Sequence, residues 1–184
     1  MRIRGKLLFL AGVLTAMAMG WVGFPRVIYQ TKSQPVDFSH KVHTGEKGGM
    51  KCEDCHAFRD DGTFAAVPKL EKCSGCHSAA MGTTVAEKNF IEQYVTPNRE
   101  PVWQVYSRQP DNVYFSHAAH IKVAKLECAK CHHQHGQSDK LAPNRVDRIS
   151  GYSQEVFENH REMNDCVACH RENGLSHACM DCHK

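Results

Sequence analysis

Ten cysteines in 184 residues fall into five C-x-x-C pairs, and a histidine follows each pair directly. The motifs are CEDCH (Cys52, Cys55, His56), CSGCH (Cys73, Cys76, His77), CAKCH (Cys128, Cys131, His132), CVACH (Cys166, Cys169, His170) and CMDCH (Cys179, Cys182, His183). With 13 histidines in the chain, chance would follow all five pairs with one about two times in a million, so the coupling is chemical. Two thiols three positions apart can each add to one vinyl group of a porphyrin. The next residue then lies under the iron, where its imidazole becomes the proximal ligand.

Other cysteine chemistries fit less well. Zinc ribbons pair their C-x-x-C knuckles to make four ligands per metal, and five pairs leave one unmatched. A redox dithiol is expected once, at a strand end in an alternating β/α pattern that this chain lacks. A C-x-x-C disulfide closes too short a loop to restrain much chain. Covalent haem c at all five motifs is the expectation.

Haem c is attached outside the cytoplasmic membrane, so an export signal is required. Arg2, Arg4 and Lys6 precede an uncharged run of 18 residues, Leu7 to Phe24. Ala16 and Ala18 form an A-x-A pattern that fits cleavage after residue 18. The apolar run continues past it, however, and 18 helical residues span about 27 Å, close to the hydrocarbon thickness of a bilayer. A retained anchor is therefore favoured, with its basic end cytoplasmic and the rest periplasmic. Beyond residue 30 the chain holds all 20 acidic residues and all but four of the 23 basic ones, a formal balance of about −1. That leaves no basic excess for nucleic acid.

The exported part repeats. "VDFSHKVHTGEKGGMKCEDCH" (36–56) and "VYFSHAAHIKVAKLECAKCH" (113–132) share an aromatic–Ser–His–x–x–His lead before a first motif. The division expected is a signal-anchor over residues 1–30, a two-haem module over 31–95 and a three-haem module with a leading linker over 96–184. Val85 to Val95 has apolar spacing for one helix of about three turns, broken at Thr96-Pro97. The Pro-bounded stretch after it is expected to run extended, with Trp103, Tyr106, Tyr114 and Phe115 packed on porphyrin faces. Five porphyrins would supply an apolar core that the sequence lacks, leaving short helices and loops wrapped round them, and folding would be coupled to cofactor insertion.

Besides the five proximal histidines, eight remain: His40, His43, His117, His120, His133, His135, His160 and His177. Bis-histidine ligation is therefore expected to be general. It leaves the iron low-spin, closed to substrate and suited to passing electrons. Met81, Met163 and Met180 are alternative axial ligands; one of them would raise its haem's potential.

The order F-x-H-x-x-H, CxxCHH, a His shortly before CxxCH, and a last CxxCH, over residues 113–183, resembles the class III multihaem cytochromes c. The resemblance implies a mainly α and irregular fold, and the pairings His117 with His132, His120 with His170, and His160 with His183. By the repeat, His40 would pair with His56. His43 is the choice for His77, with His133, His135 and His177 as rivals. Those three histidines are otherwise propionate partners or exposed residues, and two of them are candidates for a sixth haem without thioether attachment.

"PVWQVYSRQPDNVYFSHAAH" (101–120), behind an N-terminal anchor, is similar to the corresponding stretch in the membrane-attached multihaem subunits of the menaquinone reductase and alternative complex III family. That likeness implies an iron–sulfur subunit, a molybdopterin-oxidoreductase-like subunit and an NrfD-like membrane subunit as partners, with a soluble periplasmic tetrahaem cytochrome as electron donor. The chain would then be an electron-transfer subunit of an oxidoreductase complex, without a catalytic residue of its own. Two classes compete. A NapC/NirT-type quinol dehydrogenase usually has its first motif close to the anchor, whereas Cys52 lies well beyond Phe24. A nitrite-type reductase needs an open iron, often with Lys in place of a proximal His, and all five motifs here end in His.

Overall fold

The computed structural model describes residues 2–64, 67–104, 111–149 and 162–183. Its N-terminal part is one helical rod: α1 (Arg2–Ala18) widens into a π-helical turn at Met19–Gly23 and continues as α2 (Phe24–Ile28). The wide turn lies just before Pro25, whose ring would otherwise meet the carbonyl one turn back. The helix therefore passes the Ala16-x-Ala18 pattern without a break. Arg4–Ile28 is a 25-residue span of mean hydropathy 2.0, with no part of its apolar window buried by the protein. At about 1.5 Å per residue it is long enough to cross a bilayer.

The rod leads straight into β1 (Tyr29–Lys32), which pairs antiparallel with β2 (Asn144–Asp147), Tyr29 opposite Asp147 and Lys32 opposite Asn144. The Arg145 guanidinium lies 4.7 Å from the Tyr29 ring centre. Two residues on, the Gln34 amide donates to the Gln104 and Ala142 carbonyls at 3.0 and 3.1 Å and accepts from the Gln104 N–H at 3.1 Å. The segment leaving the rod is thus tied to chain more than a hundred residues away.

The remaining elements are short: α3 (His40–Thr44), α4 (Cys52–Cys55), α5 (Leu70–Ser74), α6 (Val85–Phe90), π-helical turns at Ile91–Val95 and Ala118–Val123, α7 (Ala129–His132), α8 (Met163–Glu172) and α9 (Cys179–Cys182). Helices of this length are marginal alone, so they depend on caps and outside contacts. Ser39 Oγ accepts from the Val42 N–H to start α3, and Thr84 Oγ from the Glu87 N–H to start α6. Asp54 and Asp165 reach back to the Lys51 and Glu162 N–H groups at the starts of α4 and α8. The helix expected over residues 85–95 is present, its second half widened so that the Thr96 N–H bonds the Ile91 carbonyl. Val113, in the stretch expected to be extended, forms an antiparallel bridge with His183. Tyr106 and His160 lie outside the described residues.

Side-chain burial is slight. Among the described residues only Leu70, Pro101 and Asn144 are buried, and no large side chain is fully enclosed. Hydrophobic burial stabilises in proportion to apolar area removed from water. Polypeptide packing alone therefore provides little to offset the conformational entropy of ordering so many short elements.

Candidate functional site

The two His-x-x-His leads are built alike. In the first, Ser39 caps α3 with its hydroxyl while its carbonyl accepts the His43 Nδ1–H at 2.7 Å. Phe38 stacks on His43, ring centres 4.4 Å apart, and meets His40 edge-on at 5.0 Å. In the second, Ser116 Oγ accepts from the Ala119 N–H and the Ser116 carbonyl accepts the His120 Nδ1–H at 2.8 Å. Phe115 stacks on His120 at 4.7 Å and meets His117 edge-on at 4.8 Å. A ring whose Nδ1 carries the proton has a bare Nε2, the atom free to bind a metal. Each Ser and Phe thus holds a pair of imidazoles in fixed orientation. The sequence marks these residues through the repeated F-S-H lead, although their roles depend on geometry.

Each lead histidine faces a histidine of a C-x-x-C-H motif. Ring centres are 6.4 Å apart for His40 and His56, 6.1 Å for His43 and His77, 6.4 Å for His117 and His132, and 6.2 Å for His120 and His170. The His117 and His132 planes differ by only 6°. Two imidazoles bound to one metal ion from opposite sides, through nitrogens at about 2 Å, have ring centres about 6 Å apart. The rivals His133, His135 and His177 make no ring contact with His77 among the described residues. His133 ends α7 with a positive φ of 43°, His135 lies 4.9 Å from the His40 ring, and His177 is exposed with Nδ1 against the Leu175 carbonyl. Met81, Met163 and Met180 are all exposed.

The motifs also neighbour one another in an order that differs from the chain's. Cys55 lies near Cys73 and Cys76, and Cys128 lies near Cys52. Phe64 stacks on His117 at 4.4 Å and faces His56 at 6.4 Å, and Lys122 Nζ lies 4.3 Å from the Phe58 ring centre. His40 and His43 on one helical turn join the His56 and His77 sites; His117 and His120 join the His132 and His170 sites. The resulting row runs His77, His56, His132, His170. His183 joins the second lead through its bridge to Val113 and a 2.7 Å bond from the Tyr114 N–H to the Cys182 carbonyl.

One motif histidine has a different partner. His77 donates its Nδ1–H to Glu87 Oε1 at 2.9 Å, and the same carboxylate accepts the Met81 and Gly82 N–H groups at 2.8 and 2.9 Å. Those donors hold the Glu87 carboxyl below its ordinary range, led by the Met81 bond. Sequence reasoning missed Glu87, which stands ten residues after His77 outside any motif.

Burial, with His135, His56 and His43 adding repulsion, holds His40 down to about 4 from an ordinary 6.5. Burial likewise lowers His117 and His135. All three are neutral at pH 7, the form able to ligate a metal. A histidine lowered in the folded state contributes stability present above its unfolded value and lost as pH falls through its folded value. Acidification is therefore expected to weaken the fold from about pH 6.5 and to complete the His40 contribution's loss below about 4. Circular dichroism and the low-spin Soret band, followed against pH, check this; equal stability at pH 7 and 4 would contradict it.

The residues fit haem c on their own geometry. None of the ten thiols is in a disulfide, and eight of them belong to motifs whose histidines have opposed partners at the spacing of a six-coordinate iron. The scarcity of buried side chains fits a polypeptide that packs on a large apolar group.

Comparison with known proteins gives two matches. Residues 24–101 match the Class III cytochrome C family. That match falls on the first repeat, whereas the motif resemblance was strongest over residues 113–183. Over 191 aligned positions the chain is 39% identical to the menaquinone reductase, multiheme cytochrome c subunit, of Nitratidesulfovibrio vulgaris (Hildenborough), covering 96% of this chain and 89% of the relative.

Proposed function

Because the chain belongs to the class III cytochrome c family, and within it to the group containing the menaquinone reductase multihaem subunit, we propose that it is a membrane-anchored five-haem relay. It takes electrons from a soluble periplasmic tetrahaem cytochrome and delivers them to the iron–sulfur and quinone-reactive subunits of a menaquinone reductase complex. The observation that carries this reading is the set of four opposed imidazole pairs at 6.1 to 6.4 Å. An iron closed on both faces has no position for substrate and is left with electron transfer.

Bound haem c supplies a one-electron ferric–ferrous couple. The chain's residues do the rest. The cysteines of the five motifs would hold the cofactors covalently, and His56, His77, His132, His170 and His183 would bind the irons from the attachment side. His40, His43, His117 and His120 would supply the second nitrogen at the first four sites, and His160 that at the His183 site. The two His-x-x-His turns keep neighbouring sites in contact. The Arg4–Ile28 helix, running without a loop into the β1–β2 ribbon, holds the row at a fixed place against the membrane on its periplasmic side. The molybdopterin-oxidoreductase-like and NrfD-like subunits are the neighbours that this role requires.

Purification from native membranes tests the proposal. The chain is expected to copurify with a quinone-reactive membrane complex, to yield five haems per chain by pyridine haemochrome, and to be reduced by a reduced tetrahaem cytochrome before menaquinone is. Recovery as a free soluble cytochrome would remove the subunit role, and a ratio other than five would remove the haem assignment.

A further inference from the structure

Four ligand histidines have a described Nδ1 partner of fixed acceptor type. Three of them, His43, His120 and His170, donate to peptide carbonyls, of Ser39, Ser116 and Ser176. The fourth, His77, donates to a carboxylate. Glu87 is itself rigidly seated: Thr84 caps its helix, the Met81 and Gly82 N–H groups clamp both carboxylate oxygens, and its side chain is only 11% exposed. The cradle is close, since a Cβ at Gly82 would stand 3.1 Å from Glu87 Oε2. Such an arrangement is more than an exposed ion pair, because neither partner is free to swing away into water.

A carboxylate draws the Nδ1 proton further from the ring than a neutral carbonyl does. The ring then has more imidazolate character, and Nε2 becomes a stronger donor. A stronger axial donor stabilises the ferric state over the ferrous and lowers the potential of that centre. At the His120–His170 site both rings lean on neutral carbonyls.

From this we infer that Glu87 is a positioning residue that makes the His77 site electron-rich, setting its potential below that of the His120–His170 site. It rests on the haem ligation proposed above. The His77 site also stands at one end of the described row, so the residue would tune a terminal centre of the relay.

The test uses the full-length holoprotein in detergent. In Glu87→Gln the acceptor becomes neutral, and one midpoint potential in a spectroelectrochemical titration is expected to move upward while the others stay in place. The near-infrared charge-transfer band of one low-spin ferric centre, read by magnetic circular dichroism, should move from the histidine–histidinate position to the bis-histidine position. Glu87→Asp, which keeps the charge, should restore part of both shifts. Glu92→Gln, an exposed carboxylate on the following turn, should move neither. Unmoved potentials and bands in a folded, fully haem-loaded Glu87→Gln protein would overturn the inference. His43→Ala separates this from a failure of the site itself. It should open one high-spin centre, and if it does while Glu87→Gln is silent, only the role of Glu87 falls. If His43→Ala leaves every centre low-spin, the ligand assignment at His77 falls with it.

Discussion

His120→Ala is expected to turn one closed low-spin centre into an open one that binds carbon monoxide, from none in the parent protein to one per chain. The ring it removes lies 6.2 Å from His170, is stacked on Phe115 and is locked by the Ser116 carbonyl. Among the described residues no other histidine ring faces His170, and the neighbour His117 faces His132. The π-helical turn Ala118–Val123 holds the backbone by its own hydrogen bonds, including the Ala124 N–H to the Ala119 carbonyl, so truncating the side chain leaves the support in place. Added imidazole should close the site again and displace the gas. Absorbance difference spectra with carbon monoxide provide the measurement. A variant that binds none, with His170 intact and five haems loaded, would show that His120 is not an axial ligand.

The second large effect concerns folding. Replacing both Cys128 and Cys131 with alanine is expected to reduce accumulation of the protein below about a tenth of the parent level, because cofactor binding in small metallodomains supplies on the order of 10 kcal/mol of folding free energy. Two observations place the weight on this motif. Among the described residues Leu70 and Pro101 are the buried apolar side chains, so little polypeptide core remains to hold a chain that has lost a cofactor. Cys128 also lies near Cys52, and His117, which faces His132, is stacked on Phe64, so the motif sits where the two repeats meet. Replacing Cys179 and Cys182, in the terminal α9, should have a smaller effect for the same reason. Immunoblots of membrane fractions with haem staining check both. Full accumulation of a Cys128→Ala, Cys131→Ala chain with native circular dichroism would show that the polypeptide folds on its own contacts.

How far these expectations were open to reading from sequence differs from residue to residue. The five C-x-x-C-H motifs were fully legible, because each lies within five consecutive positions and its chemistry is local. The helix over 85–95 and the apolar N-terminal rod were legible for the same reason: periodicity and hydropathy act within a few turns. The opposed histidines were partly legible. The repeated F-S-H-x-x-H lead signalled two paired histidines per repeat, and an i, i+3 spacing places them on one helical face, but which motif each would meet depended on likeness to known proteins.

Tertiary structure alone settled what depends on distant chain meeting. The pairing of Tyr29–Lys32 with Asn144–Asp147 leaves no periodic trace, since each strand is only four residues long. The proximity of Cys52 and Cys128, the position of Phe64 against both His56 and His117, and hence a row ordered 77, 56, 132, 170, come from how the repeats fold on each other. Glu87 reaches His77 only because the turn at Met81 and Gly82 brings α6 back over the second motif. The sequence by itself determined which atoms can hold the cofactors, through bonds a few residues apart. The fold determined which sites are neighbours and which ligand has a carboxylate behind it, because those are properties of distance in space, and distance along the chain does not specify them.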